Sequence, residues 1–118
     1  MIVQQLENQS PFTTKDGSTI RSVLDRTNAP VEKHSLAEAT MAPGQATERH
    51  HHKICEEFYF LLEGTALMDV DGETREVGPG DAILIPSGAR HQITARSKLR
   101  FLCSCSPFYD HADVYFDS

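Results

Sequence analysis

GQATERHHHKICEEFYFLLEG, residues 44–64, and GDAILIPSGARHQ, residues 80–92, decide the reading of this 118-residue chain. The first runs Gly44-x5-His50-x-His52-x4-Glu57-x6-Gly64, and the second runs Gly80-x5-Pro86-x-Gly88-x2-His91. Residues i and i+2 of a strand project from one face about 6–7 Å apart. His50 and His52 therefore aim their imidazoles at one point, and His51 faces the other way. Together with Glu57 and His91 they offer three nitrogens and one carboxylate to a single ion per chain. That donor set suits Fe, Mn, Ni, Co, Cu or Zn, and an octahedral ion so held keeps two cis positions for water, substrate or dioxygen. Glu57 is the expected carboxylate, because strand alternation turns the adjacent Glu56 outward.

Outward from these stretches, period-2 patterning bounded by Gly, Pro, Asn and Asp recurs every eight to twelve residues, the pattern of an all-β sandwich or barrel. It predicts strands at 19–24, 34–42, 47–52, 57–63, 65–70, 73–77, 82–85, 91–96 and 98–105. Asp71-Gly72 predicts a type I′ hairpin turn, since both central positions need positive φ. Pro43-Gly44, Pro79-Gly80 and Pro86-Ser87-Gly88 mark further breaks. Helical patterning is nearly absent, and no repeat or linker divides the chain.

The two stretches resemble the paired motifs of the cupin superfamily, in particular the small single-domain, RmlC-like cupins of the cupin 2 type. The match falls on Gly44, His50, His52, Glu57, Gly64, Gly80, Pro86, Gly88 and His91, with fifteen residues between Gly64 and Gly80. The resemblance implies an all-β jelly-roll β-barrel of antiparallel strands with a three-histidine, one-glutamate metal site in its mouth. It implies a single domain over 1–118, with an N-terminal arm and first strand in 1–30 and the paired motifs in 44–95. The chain departs from the pattern at Ala95, where the second motif often ends in Asn; that leaves the ligands intact and changes the pocket wall.

Composition bounds the function. One domain of this length holds a core without disulfides. A formal net charge of -6 with scattered Lys and Arg excludes a phosphate-tracking nucleic-acid interface. The start, MIVQQLENQSPF, has no basic or apolar leader pattern, so a cytoplasmic location and no membrane partner are expected. Cys55, Cys103 and Cys105 are odd in number and fit a reducing compartment. Cys103 and Cys105 share a strand face with Phe101, as buried apolar residues or as thiols in the pocket wall. Cys55 reads as a turn residue.

If Glu57 points inward, Tyr59 and Leu61 follow it, and Phe58, Phe60 and Leu62 point out. That outer patch calls for cover by the N-terminal arm, residues 1–24, or by a second subunit; the resemblance favours a homodimer. Tyr59 lines the pocket as a core aromatic or as a catalytic hydroxyl beside the ion. His34, Glu38 and Arg21 are candidates for binding an anionic or polyol substrate. Tyr109, His111 and Asp113 either cap the mouth or pack outside.

The leading expectation is a metalloenzyme acting on a small oxygen-rich substrate by non-redox chemistry of isomerase, lyase or cyclase type. The alternatives are an Fe(II)-dependent dioxygenase resembling quercetinase and a non-catalytic small-molecule-binding cupin. Fold alone does not choose among them.

Overall fold

The computed structural model describes residues 1–116. Eleven strands form among them: β1 (Phe12–Thr13), β2 (Thr19–Leu24), β3 (Ser35–Met41), β4 (His50–His51), β5 (Glu56–Glu63), β6 (Ala66–Val70), β7 (Glu73–Val77), β8 (Ala82–Ile85), β9 (His91–Ala95), β10 (Leu99–Ser106) and β11 (Tyr115–Phe116). Leu6–Asn8 and His111–Asp113 are single 3-10 turns. A six-stranded sheet runs β1-β2-β3-β10-β5-β8 and a five-stranded sheet runs β11-β4-β9-β6-β7, with all pairings antiparallel. The two sheets face each other as a jelly-roll sandwich and do not close into the expected barrel. Closure needs continuous ladders at both seams; here the edge strands β1 and β11 are two residues each. No helix among the described residues is long and apolar enough to cross a membrane.

Alternation builds the core. Along β5 the side chains of Glu57, Tyr59 and Leu61 are buried while Phe58 and Phe60 are exposed, as the period-2 reading requires. Tyr59, Leu61, Met68, Ile85, Ile93, Leu99 and Phe101 fill the space between the sheets. Asp71 (φ 51) and Gly72 (φ 88) turn β6 into β7, with Val70 opposite Glu73. Gly64, at φ 85, ends the first motif where any Cβ would stand 2.1 Å from the Lys98 carbonyl oxygen. Only glycine fits there.

The strand expected over 47–52 shrinks to β4, preceded by a lone bridge from Ala46 to Thr94. Side chains supplement the backbone bond from Thr47 N–H to the Ile93 carbonyl at 3.0 Å: Ile93 N–H donates to Thr47 Oγ1 at 3.1 Å, and the Gln92 amide donates to the Thr47 carbonyl at 2.8 Å. The N-terminal arm does not cross the face bearing Phe58 and Phe60. It extends the six-stranded sheet beyond β3, at the end remote from β5 and β8.

Candidate metal centre

Pairing brings the two motifs together. His50 of β4 lies opposite His91, the first residue of β9, and His52 follows β4 one residue later. Glu57 enters from the other sheet, on β5, with Cys105 of β10 beside it. Ring centroids are 4.2 Å apart for His50 and His91, 5.1 Å for His50 and His52, and 5.5 Å for His52 and His91. One nitrogen from each ring lies within 4.8 Å of the other two, and Glu57 Oε1 stands 3.3 Å from His91 Nε2 and 3.7 Å from His52 Nε2. All four side chains are buried. His51 turns away and stacks on Tyr115.

The hydrogen bonds decide whether this set fits a cation. Nδ1 of His50 donates to the Glu48 carbonyl at 2.7 Å, that of His52 to the Asp113 carbonyl at 3.0 Å, and that of His91 to the Ala89 carbonyl at 3.0 Å. A carbonyl only accepts, so each Nδ1 carries the proton and each Nε2 turns a lone pair inward. His91 Nε2 and Glu57 Oε1 are buried and find no hydrogen-bond partner. Two facing acceptors repel unless a positive charge sits between them, and a metal ion or a proton on His91 supplies it. The residues fit a divalent transition ion, with their outer nitrogens oriented as histidine ligands require.

Proton affinities follow the same logic. Burial disfavours the imidazolium of His91, but the adjacent Glu57 carboxylate, 3.3 Å away, outweighs it and raises the pKa. Burial pushes Glu57 up, and its contacts with His91 and His52 outweigh that and hold it below the usual carboxylate range. His50 is lowered, by burial first and then by the neighbouring His91. Burial drives Tyr59 well above the ordinary phenol value, so its hydroxyl stays protonated.

The cavity beside these residues is lined by Tyr59, Phe101, Cys103, Cys105 and Tyr109, with Phe12, Ile20, Ala37, Ala39 and Val114. Cys103 and Cys105 are therefore pocket-wall thiols, Cys103 half-buried and Cys105 buried, and the Cys105 thiol donates to Glu57 Oε2 at 3.3 Å. Cys55, read as a turn residue, is buried with 3% exposure. Arg21 and Glu38 do not line the cavity. Glu38 shares the opposite face of β3 and accepts from Arg21 at 2.8 and 3.0 Å and from Arg100. His34 is exposed before β3 and does not line the cavity either. In the C-terminal segment, Tyr109 reaches the cavity, with its hydroxyl 3.1 Å from His111 Nδ1. Asp113 is buried, and its carboxylate accepts the backbone N–H groups of Lys53, Ile54 and Cys55. It holds the loop carrying His52, so the near grouping of His52, Cys55 and Asp113 is an anchor of that loop.

Sequence reasoning missed Asp16, in the turn between β1 and β2. Its Oδ2 stands 3.6 Å from His50 Nε2, and its side chain is 15% exposed. Burial alone would raise its pKa, but hydrogen bonds from Ser18 and Thr14 outweigh it and keep the carboxylate ionised. Asp16-Gly17 signals a turn, and nothing local in the sequence says that the turn folds over the histidines.

Comparison with known proteins identifies the family. The chain is 40% identical over 116 residues to an uncharacterized protein of Methanocaldococcus jannaschii, covering 97% of this chain and 93% of that one. It is 26% identical over 94 residues to the tetracenomycin polyketide synthase protein TcmJ of Streptomyces glaucescens, covering 80% of this chain and 62% of the relative. The polyketide cyclase RemF from Streptomyces resistomycificus superimposes with a TM-score of 0.81 at 25% identity, over 100% of this chain and 86% of that one. The Cupin domain family model matches residues 37–105, more than half of the chain and all four converging side chains, and the chain belongs to the cupin family.

Proposed function

We propose that the chain is a metalloenzyme that holds one divalent transition ion on His50, His52, Glu57 and His91. It acts on a small oxygenated substrate by non-redox chemistry of the isomerase, lyase or cyclase type. The observation that carries this reading is the fixed tautomer of all three rings, which leaves each Nε2 an acceptor, with those of His52 and His91 at 3.7 and 3.3 Å from the donor-free Oε1 of Glu57. When bound, the ion supplies Lewis acidity toward a substrate oxygen. The protein does the rest. Phe12, Ile20, Phe101 and Val114 give the cavity an apolar wall for a carbon skeleton, and Tyr59 and Tyr109 bring hydroxyls that stay protonated.

Tyr59 is the catalytic candidate in this reading, because it lines the cavity with its ring centroid 6.1 Å from that of His91 and offers a protonated hydroxyl that orients a substrate oxygen by a hydrogen bond. The likeness to a polyketide cyclase supports the cyclase variant, with a flat, oxygen-bearing substrate suited to the aromatic wall. The protein acts in the cytoplasm, as a homodimer joined through the face that carries Phe58 and Phe60. Arg21, Glu38 and His34 lie outside the cavity and have no substrate-binding role in this reading.

The deciding experiment is metal analysis of the purified protein, followed by turnover of a panel of hydroxylated aromatic and hydroxy-carbonyl compounds. The Mn, Ni, Zn and Fe forms are each assayed with and without oxygen. The expected result is one ion per chain and activity with several metals that persists anaerobically. Activity confined to the Fe(II) form and abolished without oxygen overturns the non-redox reading in favour of a dioxygenase. Binding without turnover of any compound favours a small-molecule-binding cupin.

A further inference from the structure

A second carboxylate faces the histidines, and its two oxygens have different surroundings. Asp16 Oδ1 is fully engaged: it accepts from Thr14 Oγ1 at 2.6 Å, Ser18 Oγ at 2.6 Å and Ser18 N–H at 2.9 Å. Oδ2 is turned toward His50 Nε2, at 3.6 Å. The His50 Nδ1 proton is committed to the Glu48 carbonyl, so this Nε2 meets Asp16 as an acceptor facing an acceptor. That is the arrangement of His91 and Glu57, whose separation is 3.3 Å. Adjacent donors around a first-row ion stand roughly 3 Å apart, as ligand bonds of about 2.1 Å at right angles require. To reach that spacing His91 and Glu57 would approach by about 0.3 Å and His50 and Asp16 by about 0.6 Å.

The turn that presents Asp16 is fastened to the strand that presents His50. Glu48 N–H donates to the Asp16 carbonyl at 2.7 Å, and the Gln45 amide donates to the Gly17 carbonyl at 2.8 Å. Charge points the same way, because a divalent ion in a buried, largely apolar cavity calls for two negative partners and Glu57 is one. Resting on the metal reading above, we propose that Asp16 Oδ2 is a fifth protein ligand to the same ion. The N-terminal hairpin thereby completes a neutral site of three histidines and two carboxylates. An octahedral ion then keeps a single position open. The substrate binds through one oxygen, and a chelating substrate enters only by displacing Asp16.

The test loads wild type and Asp16→Asn with Mn(II) and measures the dissociation constant together with water-proton relaxation, which counts exchanging waters on the ion. Asn keeps an acceptor for Thr14 and Ser18 and so preserves the turn, but presents a neutral amide where Oδ2 stood; circular dichroism verifies the fold. The expected result is a single exchanging water in wild type, a second in the variant, and affinity lower by about tenfold or more. Two exchanging waters in wild type, or unchanged affinity and relaxation in the variant, overturns the fifth ligand and leaves the four-ligand site standing. Wild type that binds no stoichiometric Mn, Ni, Zn or Fe overturns both. The wild-type water count decides the matter even if the variant misfolds.

Discussion

His91 Nε2 lies 3.3 Å from Glu57 Oε1, with its other nitrogen already bonded to the Ala89 carbonyl, so one positive charge must serve both atoms. In the metal-free protein that charge is a proton. Glu57 raises the His91 pKa, and a group raised on folding stabilises fully below its unfolded value, about 6.5, and loses that contribution as pH rises through the folded value. Glu57, held low, contributes above its unfolded value of about 4.3 and loses it as pH falls. Thermal melts of the chelator-treated protein should therefore weaken as pH climbs past about 6.5, and added Zn(II) or Ni(II) should restore stability there. Metal occupancy should fall in the opposite direction, as protons reclaim His91. His91→Ala should lose metal strongly at every pH. A chelated protein whose melting temperature rises steadily from pH 6 to 8 counts against the shared-charge account.

Glu38 makes a second prediction, independent of the metal. Its carboxylate is buried at 1% exposure and accepts from both Arg21 and Arg100. Burial raises its pKa, but the hydrogen bonds and charges of the two arginines outweigh it and bring the value below the usual range. A lowered carboxylate stabilises above about pH 4.3 and loses that contribution as pH falls through the folded value. Glu38→Gln should cost about 1–3 kcal/mol at neutral pH, with the arginines' partial exposure favouring the lower part of that range. The loss should shrink in acid. Urea titrations at pH 7 and 3 check this, and an equal loss at both removes the ionic account.

What the sequence revealed and what it hid follow from the range of the interactions. Strand alternation is local, so the inward set Glu57, Tyr59 and Leu61 and the outward set Phe58 and Phe60 could be read from residues 57–63 alone. The histidines of the two motifs come together because β4 and β9 are adjacent strands, with His50 paired to His91. Alternation says nothing about which face is the inner one, and this is why Arg21 and Glu38 looked like pocket candidates. The face of β3 that carries Glu38 lies opposite the one on which Ala37 and Ala39 line the cavity. Asp16 was illegible, and Asp113 was legible only as a candidate cap without its contact to the His52 loop, for another reason. Each acts on chain far away in sequence through a turn or a tail whose landing place only the folded sheets define.

Asp113 bears on both stability and the proposed metal site. Its carboxylate serves three consecutive backbone N–H groups, at 2.9 to 3.2 Å, and its own carbonyl holds His52 Nδ1. Asp113→Ala leaves buried donors unserved, at about 1–3 kcal/mol or more, and loosens the ring it orients. Metal affinity should fall about 10–100-fold, the usual effect of removing support behind a ligand. Asp113→Asn, which keeps one acceptor, should be milder on both counts. Calorimetric melts and competition with a chromogenic chelator read the two effects, and unchanged metal affinity in Asp113→Ala would detach the tail from the site.

The outward face of the larger sheet makes the last prediction. Phe58, Phe60 and Leu84 are 51%, 42% and 54% exposed, and Leu36, Ala82 and Leu102 join them in one shallow groove across β3, β10, β5 and β8. Leu62, the third residue expected outward, is half-buried. The N-terminal arm sits at the far edge and leaves the groove open, which removes the intramolecular alternative. A contiguous apolar face of this kind needs a partner, and a flat sheet face is self-complementary under two-fold symmetry. Light scattering should give twice the 13.2 kDa chain mass. Phe60→Glu, and separately Leu84→Glu, should shift the protein to monomer without changing its circular dichroism, since neither side chain enters the core. Wild type that stays monomeric at tens of micromolar would refute pairing through this face. A dimer indifferent to both charges would place the interface elsewhere.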